Sequence, residues 1–489
     1  MGKALVALAR TRPEYPRSAP FGPAVQYPEL AGQDVSQEGW VYDAVREVLR
    51  AAELDAGAFG SPAWNPFAGL VQPGQRVVIK PNLVLDFNTT GAGLDCLVTH
   101  ASVLRPIVDY ALKALNGRGE VIIADSPHGN ARFSVILQAN GLGALADHYR
   151  RIGAPVSVRD VRKYEYGFGP GGFVAPRRIV DRDPDGYVEV DLGASSSLAS
   201  LPHLENLYGA DFDRAEIRRH HDGRHHRYLI ARTFLLADTI INVPKLKTHK
   251  KVGATLNLKS VIGINGDKNY LPHYRIGDPE HGGDEFPDTR SDGERWARLG
   301  RRWIFDRFLA PRRAWGREAF RVVNRLYAPL ERRLGGSALG IGSGDWYGNR
   351  TVHRTCFDLA RIALCADADG RLHSTPRRRF FSIIDGVVGG QGGGPLAPTP
   401  HPAGVLIAGQ DMVATDMVAV RLMGFAPERL PLFTDLVGLP VDHPLAPVSV
   451  GEIRVETEFD AWRRPFDGSG RLLAFTPHPA WEGHIEVGG

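Results

Sequence analysis

The side chains with the most chemistry to offer lie between Val243 and His273. Lys245, Lys247, His249, Lys250 and Lys251 come almost side by side, and Asn257, Lys259, Lys268 and His273 follow, so that six lysines and two histidines share 29 residues. In a solvated loop such a run would be merely basic. This one follows the apolar Thr239-Ile240-Ile241 and leads into glycine- and asparagine-rich turns around Gly263 and Asn265, a setting that suits an anion site. Crowded ammonium groups disfavour one another's charge, and an amine that loses its proton becomes a base or a Schiff-base nucleophile. Lys245, Lys247 and His249, together with His100, are therefore the candidate catalytic residues. Lys80, Asn82, Asn257, Lys259, Lys268 and His273 are candidate ligands for a carboxylate or phosphate.

Three further segments carry polar chemistry. The run Gly389-Gly390-Gln391-Gly392-Gly393-Gly394-Pro395 follows the apolar Ser382-Ile383-Ile384, so the backbone N–H groups of Gly390, Gly392 and Gly393 could approach an anion. The lysine and hydroxyl of a P-loop are missing, and a flexible turn explains the glycines equally well. Asp125-Ser126-Pro127-His128 offers a carboxylate and an imidazole to a divalent metal, with Asp385 as a third candidate ligand. Asp125 as a simple turn cap fits the same residues. Arg219 to His226 reads as a hairpin turning on Asp222-Gly223, which sets His220 opposite His225. A surface hairpin is the plainer reading there than a metal pair.

These groups need elements to position them. Val77-Val78-Ile79 ends at Lys80, Val121-Ile122-Ile123-Ala124 at Asp125, Thr239-Ile240-Ile241 at Asn242 and Lys245, and Ser382-Ile383-Ile384 at Asp385. Each run is followed by a loop or an amphipathic stretch, the alternation of a parallel sheet. Ligands of open α/β sheets bind beyond the carboxyl ends of the strands, so Lys80, Asp125, Lys245 and Asp385 are expected to line one crevice. Leu104, Ile107, Val108, Ala111 and Leu115 have helical spacing, with Thr99 as N-cap and His100 in a first turn that favours a neutral imidazole. A second helix is expected over Met412–Met423, begun by Asp411, stopped by Gly424 and preceded by a strand at Val405–Ala408.

Residues 275–350 break this pattern. They open with turns and continue into an arginine-rich helical stretch over 294–333, where Trp303, Ile304, Phe308 and Leu309 are expected to form an apolar stripe opposite Arg301, Arg302, Arg312 and Arg313. A solvated helical hairpin packed on the domain is the plainer reading, and a membrane-surface or partner-binding helix the sharper one. Its place directly after His273 suits a lid that brings arginines to an anionic ligand.

At 489 residues the chain exceeds one ordinary core. The expected architecture is a two-lobed α/β protein with mainly parallel, Rossmann-like sheets: an N-terminal part over 1–274, the insertion over 275–350 and a C-terminal part over 351–489 that completes the cleft. The composition, 43% hydrophobic and 23% charged, is that of a globular protein, and a net charge of +4 carries no nucleic-acid signature. Cys96, Cys356 and Cys365 include no C-x-x-C pair, which argues against a disulfide scaffold or zinc ribbon. Ala4 to Ala9 reads as a strand, and no window approaches the roughly 20 apolar residues of a membrane span. Cytoplasm is the expected compartment.

Taken in order, Val78-Ile79-Lys80-Pro81-Asn82-Leu83, Thr99-His100, Ile241 to His249, Asn257-Leu258-Lys259, Gly389 to Pro395 and Asp411 to Asp416 resemble the domain-of-unknown-function family 362, over roughly residues 75–430. The resemblance implies no particular activity. Some members carry an appended ferredoxin-like module, and the C-x-x-C-x-x-C-x-x-x-C-P run of that module is missing here, so no iron–sulfur cluster is expected. A fainter analogy is to the nickel-pincer lactate racemases, through Lys259-Ser260, Lys268 and His273 in a lysine- and histidine-lined cleft. The expected function is an enzyme that holds an anionic metabolite and transfers a proton beside its carboxylate, as an isomerase, racemase or lyase, with or without a divalent metal. The alternative is a non-catalytic protein that binds an anionic ligand or partner in the same basic cleft.

Overall fold

The computed structural model describes residues 3–30, 32–167, 177–211, 213–289, 291–310, 315–333, 343–440 and 442–488. Its strands are apolar on both sides. Val77 and Ile79 pack into one core and Val78 into the other; Val121 and Ile123 oppose Ile122 in the same way, and Leu406 and Ala408 oppose Val405 and Ile407. Side chains alternate along a strand, so a sheet built from such runs has to be covered on both faces.

Among the described residues eleven strands form one sheet: β1 (Ala4–Arg10), β2 (Arg76–Pro81), β3 (Glu120–Asp125), β4 (Val156–Asp160), β5 (Thr239–Val243), β6 (Lys245–His249), β7 (Gly253–Ala254), β8 (Arg379–Gly393), β9 (Ala397–His401), β10 (Val405–Gly409) and β11 (Ile453–Thr457). The main path runs β11-β1-β10-β8-β5-β2-β3-β4, and along it β10 alone runs against the others. β6 and β9 branch from β8, and β7 pairs with β6. Helices α1 (Trp40–Ala51) and α2 (Ala101–Leu115) supply the core on one face. On the other face lie α3 (Leu256–Ser260), α6 (Val352–Cys365) and α7 (Met412–Met423), while α4 (Asp292–Phe308) and α5 (Gly316–Arg333) form a helical pair outside the sheet. None of the helices among the described residues is long and apolar enough to cross a membrane.

The strands before residue 274 and after residue 351 are neighbours, since β5 pairs with β8 and β1 lies between β10 and β11. The two expected α/β parts therefore share one sheet. Hydrophobic runs identify strands, but crossover connections decide which strands meet. Helix α7 has the expected bounds: Asp411 accepts from the Ala414 N–H at 2.8 Å, and Gly424 closes it at φ +98°.

Several local expectations are corrected. The N-cap of α2 is His100 rather than Thr99, and its side chain accepts from the Ser102 N–H at 3.2 Å. Thr99 instead links strands, donating to the Val243 carbonyl at 2.7 Å and accepting from the Asn82 N–H at 2.9 Å. His220 ends a helix over Arg214–His220, and the residues that pair across the turn are the buried His221 and His226. The glycine run is strand rather than loop, for β8 continues to Gly393 and pairs with β9. On α4 the apolar stripe fails: Ile304 is buried, but so is Arg302, and Trp303 is 61% exposed. The buried carboxylate of Glu285 binds the Arg302 guanidinium and turns Trp303 outward. Arg312 and Arg313 lie outside the described residues.

Gly390 lies where β8 closes on both Lys247 of β6 and the chain at Cys96. A Cβ there would lie 2.4 Å from the Cys96 carbonyl oxygen and 2.9 Å from the Lys247 Cβ. Gly390→Ala is therefore expected to cost about 1–3 kcal/mol in chemical denaturation, the usual penalty of overpacking. Gly438→Ala, at a position with nothing within 4 Å, is expected to stay within about 0.5 kcal/mol. Equal stability of the two variants would refute the close crossing.

Candidate functional site

At the ends of β2 and β3 the chain encloses a cavity of about 260 Å³. Among the described residues six lysines line it, Lys80, Lys247, Lys250, Lys251, Lys259 and Lys268, with His128, His249 and His273, and Asp125 is the one carboxylate in its wall. An ammonium group has three protons to donate, and away from water each needs an oxygen. Lys80 gives its protons to Asp125 at 2.9 Å, the Pro81 carbonyl at 3.1 Å and the Ser260 hydroxyl at 3.2 Å. Lys268 donates to the carbonyl and hydroxyl of Ser126 at 2.9 and 3.0 Å and to the Asn265 carbonyl at 3.4 Å. Lys247 donates to the Leu97 carbonyl at 2.7 Å and to Asn82 Oδ1 and the Pro395 carbonyl at 3.3 Å each. Lys250 and Lys251 share Asp345, at 2.9 and 2.6 Å. Lys259 differs from all of these. It is 8% exposed and lines the cavity, yet no hydrogen bond or ion pair to it occurs among the described residues.

The two imidazoles beside Lys259 are fixed by backbone groups that allow one tautomer each. His273 Nδ1 lies 2.9 Å from the Leu271 carbonyl, which can only accept, so Nδ1 carries the proton and Nε2 a lone pair. His249 Nδ1 accepts from the Lys251 N–H at 3.0 Å, which leaves the proton on Nε2. Burial, and after it the charge of Lys259, holds both groups well below the usual histidine range, so both are neutral. Burial followed by the charge of Lys245 brings Lys247 down to about 7. Lys251 and Lys268 come down to about 8, mainly through burial and against the pull of Asp345 and Asp125 respectively.

Positions in the chain explain how these groups arrive together. Lys80 and Asp125 end neighbouring strands, and Gly263 lets their pair form, because a Cβ there would lie 2.0 Å from Asp125 Oδ1. Lys247 and His249 project from one side of β6, whereas Leu246 enters the core. Lys259 rides on α3, whose first N–H groups are held by the buried Asp416 carboxylate at 2.9 Å from Asn257 and 2.8 Å from Leu258. Burial raises that carboxyl to about 7 in spite of those donors.

Of the candidate residues read from sequence, Lys80, Asn82, Asp125, His128, Lys247, His249, Lys259, Lys268 and His273 line the cavity. Lys245 and Asp385 do not. They face each other in the β6–β8 register and pair at 3.2 Å in a separate buried cluster, in which Asp385 also accepts from Tyr15 at 2.6 Å and from the His100 N–H at 3.1 Å. His100 stacks on Tyr15 with ring centres 4.2 Å apart, and burial with the charge of Lys245 takes it down to about 3. Asn257 serves the Asp416 junction rather than the cavity, since its side chain donates to Asp416 at 2.8 Å. Gly390, Gly392 and Gly393 sit in strand pairs with Pro400, Pro398 and Ala397, away from the cavity wall.

The metal candidates are not gathered. Asp125 is occupied by Lys80 and by the Leu83 N–H at 2.7 Å, and Asp385 belongs to the other cluster. Among the described residues the ligand atoms that come within 4.8 Å of one another are those of Asp278, Glu280 and His281 instead. The arginines of α4 do not line the cavity, but Ser343, beyond the helical pair, does. The sequence reading missed Lys251, Ser126, Ser260 and Tyr274 as wall residues, and Tyr15 and Asp416 as supports. Lys251 lay within the basic motif and could have been included; Tyr15 and Asp416 meet their partners only through long-range contacts.

A family model described as Domain of unknown function (DUF362) matches residues 77–171 and 193–421. No curated protein matches the chain.

The lowered Lys247 has a consequence for stability. Folded, it releases its proton near pH 7, whereas the unfolded chain holds that proton to about 10.5. Between these values the unfolded state binds more protons, so stability rises with pH. In urea titrations from pH 7 to pH 10, the wild type is expected to gain stability relative to Lys247→Met. A constant difference between the two proteins would show that Lys247 keeps an ordinary lysine pKa.

Proposed function

The chain belongs to the DUF362 family, and we propose that within it this protein is an enzyme that binds an anionic small molecule at Lys259 and moves a proton on a carbon beside the bound carboxylate or carbonyl. The observation that carries the reading is Lys259 itself. Its ammonium is buried at the cavity without a partner among the described residues, while its neighbours are already held by protein oxygens. A buried charge without a counterion is costly, and an anionic ligand supplies one.

The fixed tautomers divide the remaining work. The lone pair on His273 Nε2 takes the proton from the substrate carbon. The electrons of the broken C–H bond move onto the adjoining oxygen, where Lys259 and the His249 Nε2–H donate to the developing oxyanion. A neutral imidazole serves well as such a donor, because it adds no charge to an already cationic wall. On an α-hydroxycarbonyl substrate the hydroxyl proton then crosses to the oxyanion, and the His273 imidazolium returns the first proton to the neighbouring carbon as the other oxygen becomes the carbonyl, an isomerisation with no net change in protons. If a group leaves from that neighbouring carbon instead, the same first step gives a lyase.

The test is a panel of mono-, di- and tricarboxylates and phosphate esters, screened for thermal stabilisation and then, in D2O, for deuterium incorporation by NMR. Lys259→Met is expected to abolish the stabilisation. His273→Phe is expected to keep it and to slow exchange by about 10²–10⁴-fold, the usual cost of a lost base. Stabilisation that survives Lys259→Met would remove the anion site. Stabilising anions that never exchange would favour the alternative, a non-catalytic anion-binding protein.

A further inference from the structure

The pair formed by α4 and α5 presents a surface that the rest of the described residues leave exposed. The inner side of α4 grips the wall of the cavity domain: Arg302 lies over the rings of Tyr208 and Tyr274 at 4.8 and 5.5 Å, and Asp306 accepts from the Tyr208 hydroxyl at 2.7 Å. Its outer side carries Trp296 and Trp303, seven residues apart and 64% and 61% exposed. The aromatic surface continues from Trp303 to Phe308 and on to Trp315, with ring centres 6.3 Å apart at each step, and the Arg307 guanidinium lies 5.9 Å from Phe308. On α5, Val322 and Leu326 are one turn apart and 61% and 74% exposed.

Two features of composition say what covers this surface. The chain has eight tryptophans, and the three that are exposed are all here, Trp296, Trp303 and Trp315. Over 292–333 there are also twelve arginines, no lysine and five acidic residues, against a net charge of +4 for the whole chain, so the positive excess of the protein is concentrated in this one element. Indole rings settle at the headgroup level of a bilayer, and guanidinium groups bind lipid phosphates while their stems cover apolar surface. Neither helix needs to cross the membrane for this, and neither is apolar enough to do so.

We propose that the α4–α5 hairpin docks the protein on the surface of an anionic bilayer, laying Trp303, Trp315 and Leu326 among the headgroups while Arg307 and Arg325 pair with lipid phosphates. Binding of this kind sums modest apolar burial with attraction to anionic lipid, and salt weakens the second part. The docking is independent of the cavity chemistry, which stands or falls separately.

The experiment is co-sedimentation of the full chain with vesicles of phosphatidylcholine plus phosphatidylserine, and with vesicles of phosphatidylcholine alone. Binding to the anionic vesicles, a blue shift of tryptophan emission and release at high salt are expected. Trp303→Ser/Trp315→Ser and Arg307→Glu/Arg325→Glu are each expected to weaken binding by at least about tenfold, with circular dichroism and melting unchanged. The arginine pair is exposed, so it separates lost docking from a lost fold should the tryptophan variant be unstable. Equal binding to the two kinds of vesicle, no binding to either, or wild-type binding by the arginine variant would overturn the proposal. So would a dimer of the wild type that the tryptophan substitutions dissolve, because a second copy would then cover the face.

Discussion

A lysine ammonium taken out of water has to find oxygen atoms, and that requirement arranges the centre of this protein. Lys80, Lys247 and Lys268 each end in a cage of carbonyl, hydroxyl, amide or carboxylate oxygens drawn from β2, β3, the loop before α2 and the turns around Ser126 and Asn265. Those segments come from distant parts of the chain, so the cages also act as ties between them. Gly263 belongs to the same constraint, for a larger residue would enter the space of the Lys80–Asp125 pair.

Against that background Lys259 stands out physically. The helix that carries it is held by a buried carboxylate, since Asp416 accepts from the N–H groups of Asn257 and Leu258 in α3, and its charged end meets no oxygen among the described residues. Rigid support behind an unsatisfied charge is a preorganised arrangement: little reorganisation remains when an anion arrives. Burial first, and the same charge after it, keep His249 and His273 neutral, so an anion at Lys259 would offset the smaller of the two effects.

The second buried cluster, Lys245 with Asp385, Tyr15 and His100, does not reach the cavity, yet its charge does. Lys245 is the first neighbour after burial itself to lower Lys247. Its partner Asp385 also fixes the start of α2 through the His100 N–H, so the pair serves as a joint between β6, β8 and that helix.

The sequence by itself determined six of the strands with the polar ends of four, the bounds of α7 and the nearness along the chain of Lys247, His249, Lys259, Lys268 and His273, all of which line the cavity. These follow from hydrophobic period, caps and local spacing, which are properties of contiguous residues. Tertiary structure alone decided the rest. Lys245 and Lys247 lie on one side of β6, but the register against β8 slips between them, from Asp385 opposite Lys245 to Gly390 opposite Lys247, and that slip sends one lysine to an ion pair and the other to the cavity. The glycine run became strand because β9 pairs with it. His100 became a cap because its own imidazole, not Thr99, reaches the Ser102 N–H, and Arg302 went inside because Glu285 awaited it. Each outcome depends on which partner a segment meets across the fold, and chain-distant pairing of that kind leaves no period or spacing in the sequence to be read.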